Sequence, residues 1–517
     1  MWRSSDRCSP TLTVADGERT GRNHYLYAFR NCFINGVLWV DFCYHSSRLS
    51  TFGATVMDKA EQLDDAQTSA ENVPDNSRYL SLDDIKQYRL DDEGVPTDTS
   101  MNQKKVEDTI EECLSKFFDR ASVDPELPKL AREHHIELLC RSLSYLSGNY
   151  ECLDASRPWL CYWILHALDV LGHTLPVEQV DTVTAFLARC QSAEGGFGGG
   201  PGQLPHLAAT YAAVSALASL GTEAAYQVID RPGLRRFLRR CLNSDGSFSM
   251  HDDGEVDIRG AYCAAAVARL TNVYEDALFE KTAEWLSSCQ TYEGGFSGTP
   301  GLEAHGGYTF CGLAALALLG HERLCDLDSL MRWVTNRQMA LEGGFSGRTQ
   351  KLVDACYAYW QGAVFPIIHT LLAKEGSETL SRERWMFHQE ALQHYLLHCC
   401  ENAHGGFFDK PGKNRDFYHT CYALSGLSIA QNFHLGRQHH PRVVGHQNNQ
   451  LELVHPIYNL VVTKAIAATE YFSKLAVPTE ADCSKQAGSP READLSGGSP
   501  EERSGPAGDA AGAPAGQ

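Results

Sequence analysis

An aspartate, a cysteine and a histidine in two related segments have the side chains of a zinc site. Asp354 and Cys356 lie in KLVDACYAYW, and His419 lies in RDFYHTCYAL. The two segments align at Tyr357 and Tyr422. In this register Asp354 falls opposite His419, which predicts that the three side chains meet near the starts of neighbouring helices. Zinc accepts all three ligand types and keeps a fourth position open for substrate, although ordinary buried cysteines and capping aspartates explain the same residues singly.

Cationic and polar side chains cluster in loops close to this candidate metal site. They are His305 in AHGGYTF, Arg348 and Lys351 in GGFSGRTQKLVDAC, and Tyr357 directly after Cys356. Arginine binds phosphate oxygens bidentately, lysine acts as a point charge, and helix N-termini add partial positive charge. The cluster predicts an anion pocket. A solvated loop with charges paired to nearby acids would give the same composition.

Aromatic residues are dense in the apolar segments around these candidates. Core packing is the default explanation for each ring, and a cavity walled by the rings could instead hold a long hydrocarbon chain. The rings are Trp159, Trp163, Tyr211, Tyr262, Tyr308, Phe310, Tyr359 and Trp360.

These residues lie in a repeat that must position them. A Gly-Gly-Phe tripeptide or a variant of it ends at Phe197, Phe248, Phe296, Phe345 and Phe407, at intervals of 48 to 62 residues. Such spacing is typical of stacked or closed arrays. Each copy follows a helix-period segment with one polar face and precedes a segment that is apolar nearly all round. The first kind predicts a solvent-facing helix, and the second predicts a buried one.

A sixth apolar segment, at 159–172, precedes the first Gly-Gly-Phe copy. Six inner helices alternating with six outer ones predict an all-α fold, an α-α barrel, in which the loops before the inner helices gather at one rim. An open solenoid explains the same pattern. The chain is therefore divided into an irregular leader (1–88), a barrel domain (89–475) and a disordered tail (478–517) rich in Gly, Pro, Ala, Ser and Glu.

The overall charge and the cysteines limit the classes of function. The formal net charge is −20, from 65 acidic and 45 basic residues, which argues against a nucleic-acid or anionic-membrane surface. The 18 scattered cysteines are expected to be reduced thiols in a cytoplasmic protein. The apolar run at 25–43 is interrupted by charged and amide side chains, so we expect no membrane span.

Six longer segments resemble the β subunits of protein farnesyltransferases, members of the protein prenyltransferase family. The similarity runs from about residue 89 to about residue 473, and the first eighty or so residues depart from the short start of that family. The segments are ECLDASRPWLCYWILHAL, EGGFGGGPGQLPHLAATYAAV, EVDIRGAYCAA, GLEAHGGYTFCGLAAL, LVDACYAYWQ and DKPGKNRDFYHTCYALSGLSIAQ.

The resemblance assigns a role to each candidate residue. Zinc would be bound by Asp354, Cys356 and His419. The diphosphate would be bound by His305, Arg348, Lys351 and Tyr357, and the isoprenoid would lie along Arg259, Tyr262 and Trp360. The substrate peptide would contact Trp159, Trp163 and Tyr418, with Ser156 and His206 near its last residue.

Three positions match the pattern of the farnesyl enzymes rather than that of their geranylgeranyl relatives. Asp409 matches the position associated with magnesium, where the geranylgeranyl enzymes carry Lys. Trp159 stands where those relatives have a small residue that makes room for a longer lipid, and Tyr422 also follows the farnesyl pattern.

The resemblance further implies a reaction and its partners. Farnesyl would pass from farnesyl diphosphate to the cysteine thiol of a C-terminal C-a-a-X sequence, with Zn²⁺ activating the thiol and Mg²⁺ accompanying the diphosphate. A separate helical-repeat α subunit would complete the site as a heterodimer, so that the β chain alone would be inactive.

Three other interpretations remain open from the sequence. A geranylgeranyltransferase β subunit is an enzyme of the same class, and competition between the two diphosphates would separate it from a farnesyltransferase. A terpene cyclase shares the glycine-rich repeats, but HDDGEVD at 251–257 has the wrong spacing for an Asp-Asp-x-x-Asp motif. A non-enzymatic helical scaffold would hold no stoichiometric zinc.

Overall fold

The computed structural model of the protein describes residues 85–482, except 122–123, 125–126, 375, 377–383 and 436–437, and it describes only the backbone of 434, 435 and 438. The predicted leader (1–88) lies outside the described residues except for 85–88. The predicted disordered tail (478–517) lies outside them except for 478–482.

Helices make up most of the described chain, with two short hairpins near its end. The helices are α1 (Asp98–Ala121), α2 (Arg132–Ser144), α3 (Arg157–Val170), α4 (Val177–Cys190), α5 (Leu207–Leu220), α6 (Glu223–Gln227), α7 (Arg231–Cys241), α8 (Ile258–Leu270), α9 (Thr282–Ser288), α10 (Gly306–Leu319), α11 (Leu327–Thr335), α12 (Tyr357–Trp360), α13 (Val364–Lys374), α14 (Gln389–His394), α15 (Phe417–Gln431) and α16 (Val462–Ser473). Strands β1 (Asn432–Leu435) and β2 (Gln438–Pro441) pair antiparallel, as do β3 (Val454–His455) and β4 (Leu460–Val461).

The inner helices form a closed ring. Helices α3, α5, α8, α10, α12 with α13, and α15 each pack against the next, and α15 packs back against α3. Helices α2, α4, α7, α9, α11 and α14 alternate with them along the chain. The predicted α-α barrel of six inner and six outer helices is confirmed, and the open solenoid is excluded because the last inner helix contacts the first.

The burial of the two kinds of helix follows their sequence periods. In α4 only Val183, Leu187 and Cys190 are buried, which is one stripe at helical spacing. In α10 twelve of its fourteen residues are buried. Gly221 and Gly320 end α5 and α10 in the left-handed conformation, at φ 71° and 76°, as expected for a helix C-cap.

The fifth inner helix differs from the expectation of one continuous element. It is split into α12 and α13 by a turn at Gln361–Ala363. Pro366 has no backbone N–H to donate to the preceding turn, and its ring crowds the carbonyl four residues back. The proline is tolerated in the first turn of α13, so the chain restarts the helix there.

Backbone hydrogen bonds join neighbouring repeats at the rim, where the inner helices begin. In five places an N–H at or just before the start of an inner helix donates to a carbonyl two residues after the Phe of the next repeat. We call them the rim bonds: Arg157 to Gly199, Leu207 to Met250, Ile258 to Gly298, Gly306 to Gly347 and Ala355 to Asp409, with N–O distances of 2.7 to 2.9 Å. Groups that a helix start leaves unpaired are satisfied in this way, so each loop is fixed against the adjacent helix.

The opposite end of the ring is closed by residues 451–461, which we call the floor strap. The strap meets the C-terminal ends of inner helices: the Glu452 N–H donates to the carbonyl of Val170, and Ser428 Oγ donates to the carbonyl of Glu452. Four tyrosine hydroxyls reach it from inside the ring and donate to four successive carbonyls at 2.7 to 2.9 Å. The pairs are Tyr359 with Pro456, Tyr262 with Ile457, Tyr211 with Tyr458 and Tyr162 with Asn459.

Candidate functional site

The three predicted metal ligands lie together at the rim. The ligand atoms of Asp354, Cys356 and His419 are all within 4.8 Å of one another. Asp354 and Cys356 immediately precede α12, and His419 lies in the first turn of α15, the inner helix that packs against α12. The convergence that the sequence register predicts is therefore present.

His419 is oriented by an aspartate that the sequence analysis did not single out. Asp416 is the N-cap of α15; its carboxylate accepts from the His419 backbone N–H at 2.7 Å and from Nδ1–H at 2.8 Å. In the neutral ring, Nε2 therefore carries no proton and presents a lone pair. Nε2 is buried without a hydrogen-bond partner and lies 3.3 Å from Asp354 Oδ1. A metal-binding histidine is typically backed by a carboxylate in this manner.

The electrostatics of this cluster favour a bound cation. Burial lowers the pKa of His419, but the carboxylates of Asp354 and Asp416 outweigh it and raise that pKa to about 10. Burial raises the pKa of Asp354, but His419 outweighs it, so the net pKa is below the ordinary value. Burial next to Asp354 raises the pKa of the Cys356 thiol well above its usual range. Two carboxylates therefore stabilise positive charge at Nε2, and the orphaned Nε2 with a carboxylate and a thiol fits zinc.

His305 and Tyr357, predicted for the anion pocket, are in direct contact. His305 is the N-cap of α10, and its Nδ1 accepts from the Gly307 N–H at 3.1 Å. The neutral ring therefore carries its proton on Nε2, which donates to the Tyr357 hydroxyl oxygen at 3.0 Å. Burial, with Arg348 and Arg259 nearby, lowers the pKa of His305 to about 4. The ring is thus neutral at pH 7, and the Tyr357 O–H proton is left to donate elsewhere.

The two remaining cations of the predicted pocket are at its edge. Arg348 Nη1 lies 3.0 Å from Glu303 Oε2, and the arginine side chain is 39% exposed. Lys351 is exposed and has no ion pair among the residues that the structure describes. Arg348 affects His305 through its charge, so the pocket joins one neutral histidine, one tyrosine hydroxyl and two peripheral cations.

Eight aromatic rings form a closed circuit inside the barrel, and each inner helix contributes at least one. Neighbouring ring centroids are 4.4 to 5.7 Å apart. In order around the barrel the rings are Trp159, Tyr211, Tyr262, Phe310, Trp360, Tyr422, Tyr418 and Trp163. The Tyr418 ring also lies 5.0 Å from that of His419. Six of the predicted lipid and peptide residues thus form one aromatic wall beside the metal cluster.

Arg259 lies next to this wall but is engaged with a neighbouring acid. Its guanidinium donates through Nε and Nη2 to the two carboxylate oxygens of Asp257, the N-cap of α8. The guanidinium also lies 6.0 Å from the centroid of the Tyr308 ring. The bidentate contact fixes the orientation of the arginine.

Ser156 and His206 occupy matching positions at the starts of α3 and α5. Both are N-caps, and His206 Nδ1 accepts from the Ala208 N–H at 3.1 Å. His206 also groups with His251 and Glu255, with ligand atoms within 4.8 Å of one another. Since Nδ1 of His206 accepts a hydrogen bond, its Nε2 carries the proton and acts as a donor. This tautomer favours a polar or anionic guest over a metal ion.

Asp409 lies close to the metal cluster and shares in its rim bonding. Its carbonyl accepts the Ala355 N–H, and its carboxylate forms an ion pair with Lys410. Burial and the neighbouring charge of Asp354 raise the pKa of Asp409. The carboxylate therefore faces the same negative environment as the metal ligands.

Asp416 is the main residue that sequence reasoning missed, and a signal for it existed. An aspartate directly before a helix start is a recognised N-cap, and His419 follows three residues later on the same turn. For His251 and Glu255 the sequence offered no comparable signal. A cavity of about 500 Å³ also opens elsewhere, among Arg132, Asn432, His439, Gln447, Asn448 and 450–453, and none of the predicted site residues lines it.

Comparisons with known proteins agree with this geometry. The profile of the prenyltransferase alpha-alpha toroid domain matches residues 130–460. The protein farnesyltransferase subunit beta of Arabidopsis thaliana is 40% identical over 421 residues, which cover 70% of this chain and 87% of that protein. The geranylgeranyl transferase type-1 subunit beta of the same plant is 30% identical over 336 residues, 58% of this chain and 85% of that protein.

The fold is also found among solved structures. The protein geranylgeranyltransferase-I of Candida albicans, complexed with GGPP, superposes with a TM-score of 0.56 at 22% identity, covering 68% of this chain and 100% of that one. Among the described residues, no helix combines the length and apolar character that crossing a bilayer requires. The chain belongs to the prenyltransferase α-α toroid family and, within it, to the protein farnesyltransferase β subunits.

Proposed function

We propose that this chain is the catalytic subunit that transfers a farnesyl group from farnesyl diphosphate to the cysteine thiol of a C-terminal C-a-a-X sequence. The observation that carries the proposal is the convergence of Asp354, Cys356 and His419 within 4.8 Å beside a closed aromatic wall. Alkylation of a thiol by a lipid requires activation of the thiol and an apolar surface that binds the lipid chain. A metal site next to an apolar lining would supply both.

Asp354, Cys356 and His419 would hold Zn²⁺, with Asp416 fixing the imidazole. Zinc, when bound, lowers the pKa of a coordinated thiol, so that the thiol is present as a thiolate at neutral pH. The protein's own part is orientation: the Cys356 N–H donates to Asp354 Oδ1 at 2.8 Å, which holds the ligand turn in shape.

His305, Arg348, Lys351 and Tyr357 would bind the diphosphate. Nε2–H of His305 occupies one acceptor position of the Tyr357 oxygen, so the phenol proton is free to donate to a phosphate oxygen. As the thiolate sulfur bonds to C1 of the isoprenoid, the C1–O bond breaks and charge accumulates on the departing diphosphate. Donors fixed at that position stabilise the transition state, and Asp409 would support Mg²⁺ on the same group.

The aromatic wall would hold the isoprenoid, with Arg259, Tyr262 and Trp360 along it. Trp159 would fill the space that a longer lipid needs, and Tyr422 follows the farnesyl pattern; both favour farnesyl over geranylgeranyl. Trp159, Trp163 and Tyr418 would also contact the substrate peptide, with Ser156 and the His206 Nε2 donor near its C-terminal residue.

A separate α subunit would complete the enzyme, and residues 89–475 would form the catalytic unit. We place the enzyme in the cytoplasm. The fourteen cysteines among the described residues are all free thiols, which is the state expected in a reducing compartment.

Co-expression with a prenyltransferase α subunit tests the proposal. The purified heterodimer should contain one zinc per β chain by elemental analysis and should transfer farnesyl to C-a-a-X peptides. Cys356→Ala should lose both properties. Cys421→Ala is the matched control, because Cys421 holds the equivalent register position on α15, is fully buried and lies outside the cluster. Stoichiometric zinc in Cys356→Ala would refute the metal assignment, and a wild-type protein without zinc or transfer would favour a scaffold.

The geranylgeranyl alternative is an enzyme of the same class and is less supported by the comparisons. Competition between farnesyl and geranylgeranyl diphosphate for one peptide separates the two functions. A preference for the longer donor would overturn the assignment of the lipid while leaving the zinc chemistry intact.

A further inference from the structure

The ring of Tyr357 lies between two glycines of neighbouring repeats. A Cβ atom added to Gly347 would lie 2.0 Å from Cζ and 2.2 Å from the hydroxyl oxygen of Tyr357. A Cβ atom added to Gly306 would lie 3.0 Å from Cδ1 of the same ring and 2.6 Å from Nε2 of Gln361. The phenol therefore occupies the space that a side chain at either position would need.

A rim bond joins the two glycines to each other. The Gly306 N–H donates to the Gly347 carbonyl at 2.8 Å. Neither glycine adopts the left-handed backbone conformation, so alanine is compatible with the backbone at both positions. What excludes a side chain is the ring of Tyr357, and the requirement for glycine is one of space.

An equivalent pair elsewhere in the barrel is looser. Gly298 and Tyr308 hold the positions in the preceding repeat that Gly347 and Tyr357 hold here, each tyrosine ten residues after its glycine. A Cβ atom added to Gly298 would lie 3.1 Å from Cε2 of Tyr308. That ring would need to move by only a few tenths of an ångström, so the close approach at Gly347 is particular to the repeat that carries the site.

We propose that Gly347 and Gly306 are positioning residues: together they form a seat that places the Tyr357 hydroxyl against His305 and so sets the donor that the diphosphate of the isoprenoid substrate meets. The proposal deepens the proposed function and rests on the diphosphate pocket described there. Gly347 and Gly306 both contribute through the absence of a side chain, and the buried Gln361 amide also occupies space beside Gly306.

A methyl group at position 347 would displace the phenol from its 3.0 Å contact with His305. The displaced hydroxyl could not donate from its original position. Since one hydrogen bond to a charged group is lost, Gly347→Ala should weaken farnesyl diphosphate binding by about tenfold or more. Gly306→Ala should have a smaller effect. The added methyl group would meet the end of the flexible Gln361 side chain and the edge of the Tyr357 ring, and alanine has a higher helix propensity than glycine.

The test measures the dissociation constants of farnesyl diphosphate and of inorganic pyrophosphate on the zinc-loaded heterodimer. Gly298→Ala is the matched control and should stay within about twofold of wild type. Zinc content should be unchanged in Gly347→Ala and in Gly298→Ala, and both proteins should still unfold in one cooperative transition, which separates a misplaced phenol from a misfolded barrel.

A double-mutant cycle then asks whether Gly347 acts through Tyr357. Tyr357→Ala removes the ring, so adding Gly347→Ala to it should cause no further loss of affinity. The proposal would be overturned if Gly347→Ala reduced the affinity equally in the wild-type and the Tyr357→Ala background. It would also be overturned if Gly347→Ala alone kept the wild-type affinity.

A structure of the Gly347→Ala protein gives a readout that does not depend on the substrate. We expect the Tyr357 hydroxyl to move beyond hydrogen-bond distance of His305 Nε2. A retained 3.0 Å contact would contradict the positioning role of the two glycines. If wild-type heterodimer binds neither probe, the proposed function fails instead, and the crystallographic result still decides the seat.

Discussion

The two ends of the barrel use the same residue types in opposite ways, and α12 shows this within three residues. Tyr359 points to the floor strap, where its hydroxyl donates to the Pro456 carbonyl at 2.9 Å. Tyr357 points to the rim, where its hydroxyl oxygen accepts a hydrogen bond from His305. Among the residues that the structure describes, no acceptor takes the proton of the Tyr357 hydroxyl. At the floor, hydroxyls are paired with backbone. At the rim, Tyr357 and His419 Nε2 retain unmet bonding capacity, which is what a site for a metal and an anion requires.

The largest expected effect concerns the pH dependence of zinc binding at the rim. At neutral pH the metal must displace a proton from His419, whose pKa is about 10, and another from Cys356, whose pKa is raised. Zinc affinity should therefore rise with pH by on the order of a hundredfold per unit between pH 7 and 9. Competition with a chelator of known affinity measures this slope, and a pH-independent affinity would contradict the cluster's electrostatics.

The same histidine makes a prediction for the zinc-free protein. Its folded pKa of about 10 lies above the ordinary 6.5, so the protonated ring stabilises the folded state. That contribution is complete below pH 6.5 and is lost as the pH rises through 10. Chemical unfolding of the metal-free protein across this range should show the decline, and His419→Gln should reduce it.

Asp416→Asn should weaken zinc binding by about 10- to 100-fold, because the carboxylate that orients His419 is lost. Asp257→Asn provides the matched control. Asp257 is also an aspartate N-cap of an inner helix, on α8, away from the metal cluster. Equal zinc affinity in the two variants would show that Asp416 acts as a helix cap alone.

Trp159→Thr should shift donor preference toward geranylgeranyl diphosphate by about tenfold or more, the range expected when a pocket gains room for extra apolar groups. The ratio of kcat/KM values for the two donors measures the shift. An unchanged ratio would remove Trp159 from the determinants of lipid length and would leave the aromatic wall as packing.

The smallest effect separates the two tyrosines of α12 directly. Tyr359→Phe should lower the free energy of unfolding by about 1 kcal/mol, because a hydrogen bond to the floor strap is lost, and should leave pyrophosphate affinity unchanged. Tyr357→Phe should weaken pyrophosphate binding with a smaller change in stability. The contrast between rim and floor would be contradicted if Tyr359→Phe weakened pyrophosphate binding and Tyr357→Phe mainly lowered the free energy of unfolding.

The convergence of the candidate metal residues was predictable because repeats carry their register in the sequence. Aligning two copies was sufficient to bring Asp354 opposite His419, and a period of 3.6 distinguished buried from exposed helices. Neither argument extends to residues 451–461. This segment has no helical period, and its partners are tyrosines up to 297 residues away, so long-range packing alone determines where it lies.

Other features depend on three-dimensional packing rather than on sequence pattern. The break between α12 and α13 follows from Pro366, whose effect was visible in principle, whereas the tautomers of His206 and His305 follow from single backbone N–H groups. The seat at Gly347 could not be read from its Gly-Gly-Phe-Ser-Gly context, because Gly298 has a closely similar context and a looser contact. Sequence identifies which residue types meet at the rim, and packing decides how each is aimed.

The rim bonds also constrain when the site can come into being. The turn that carries two of the candidate metal ligands is held by the last Gly-Gly-Phe copy through the Ala355–Asp409 bond, and the third candidate ligand lies on α15. A growing chain that has emerged only as far as α13 therefore carries the thiol and the carboxylate without their imidazole partner. If the three residues hold zinc as proposed, the site would be complete only once α15 has closed the ring, and fragments that end before α15 would lack the third ligand.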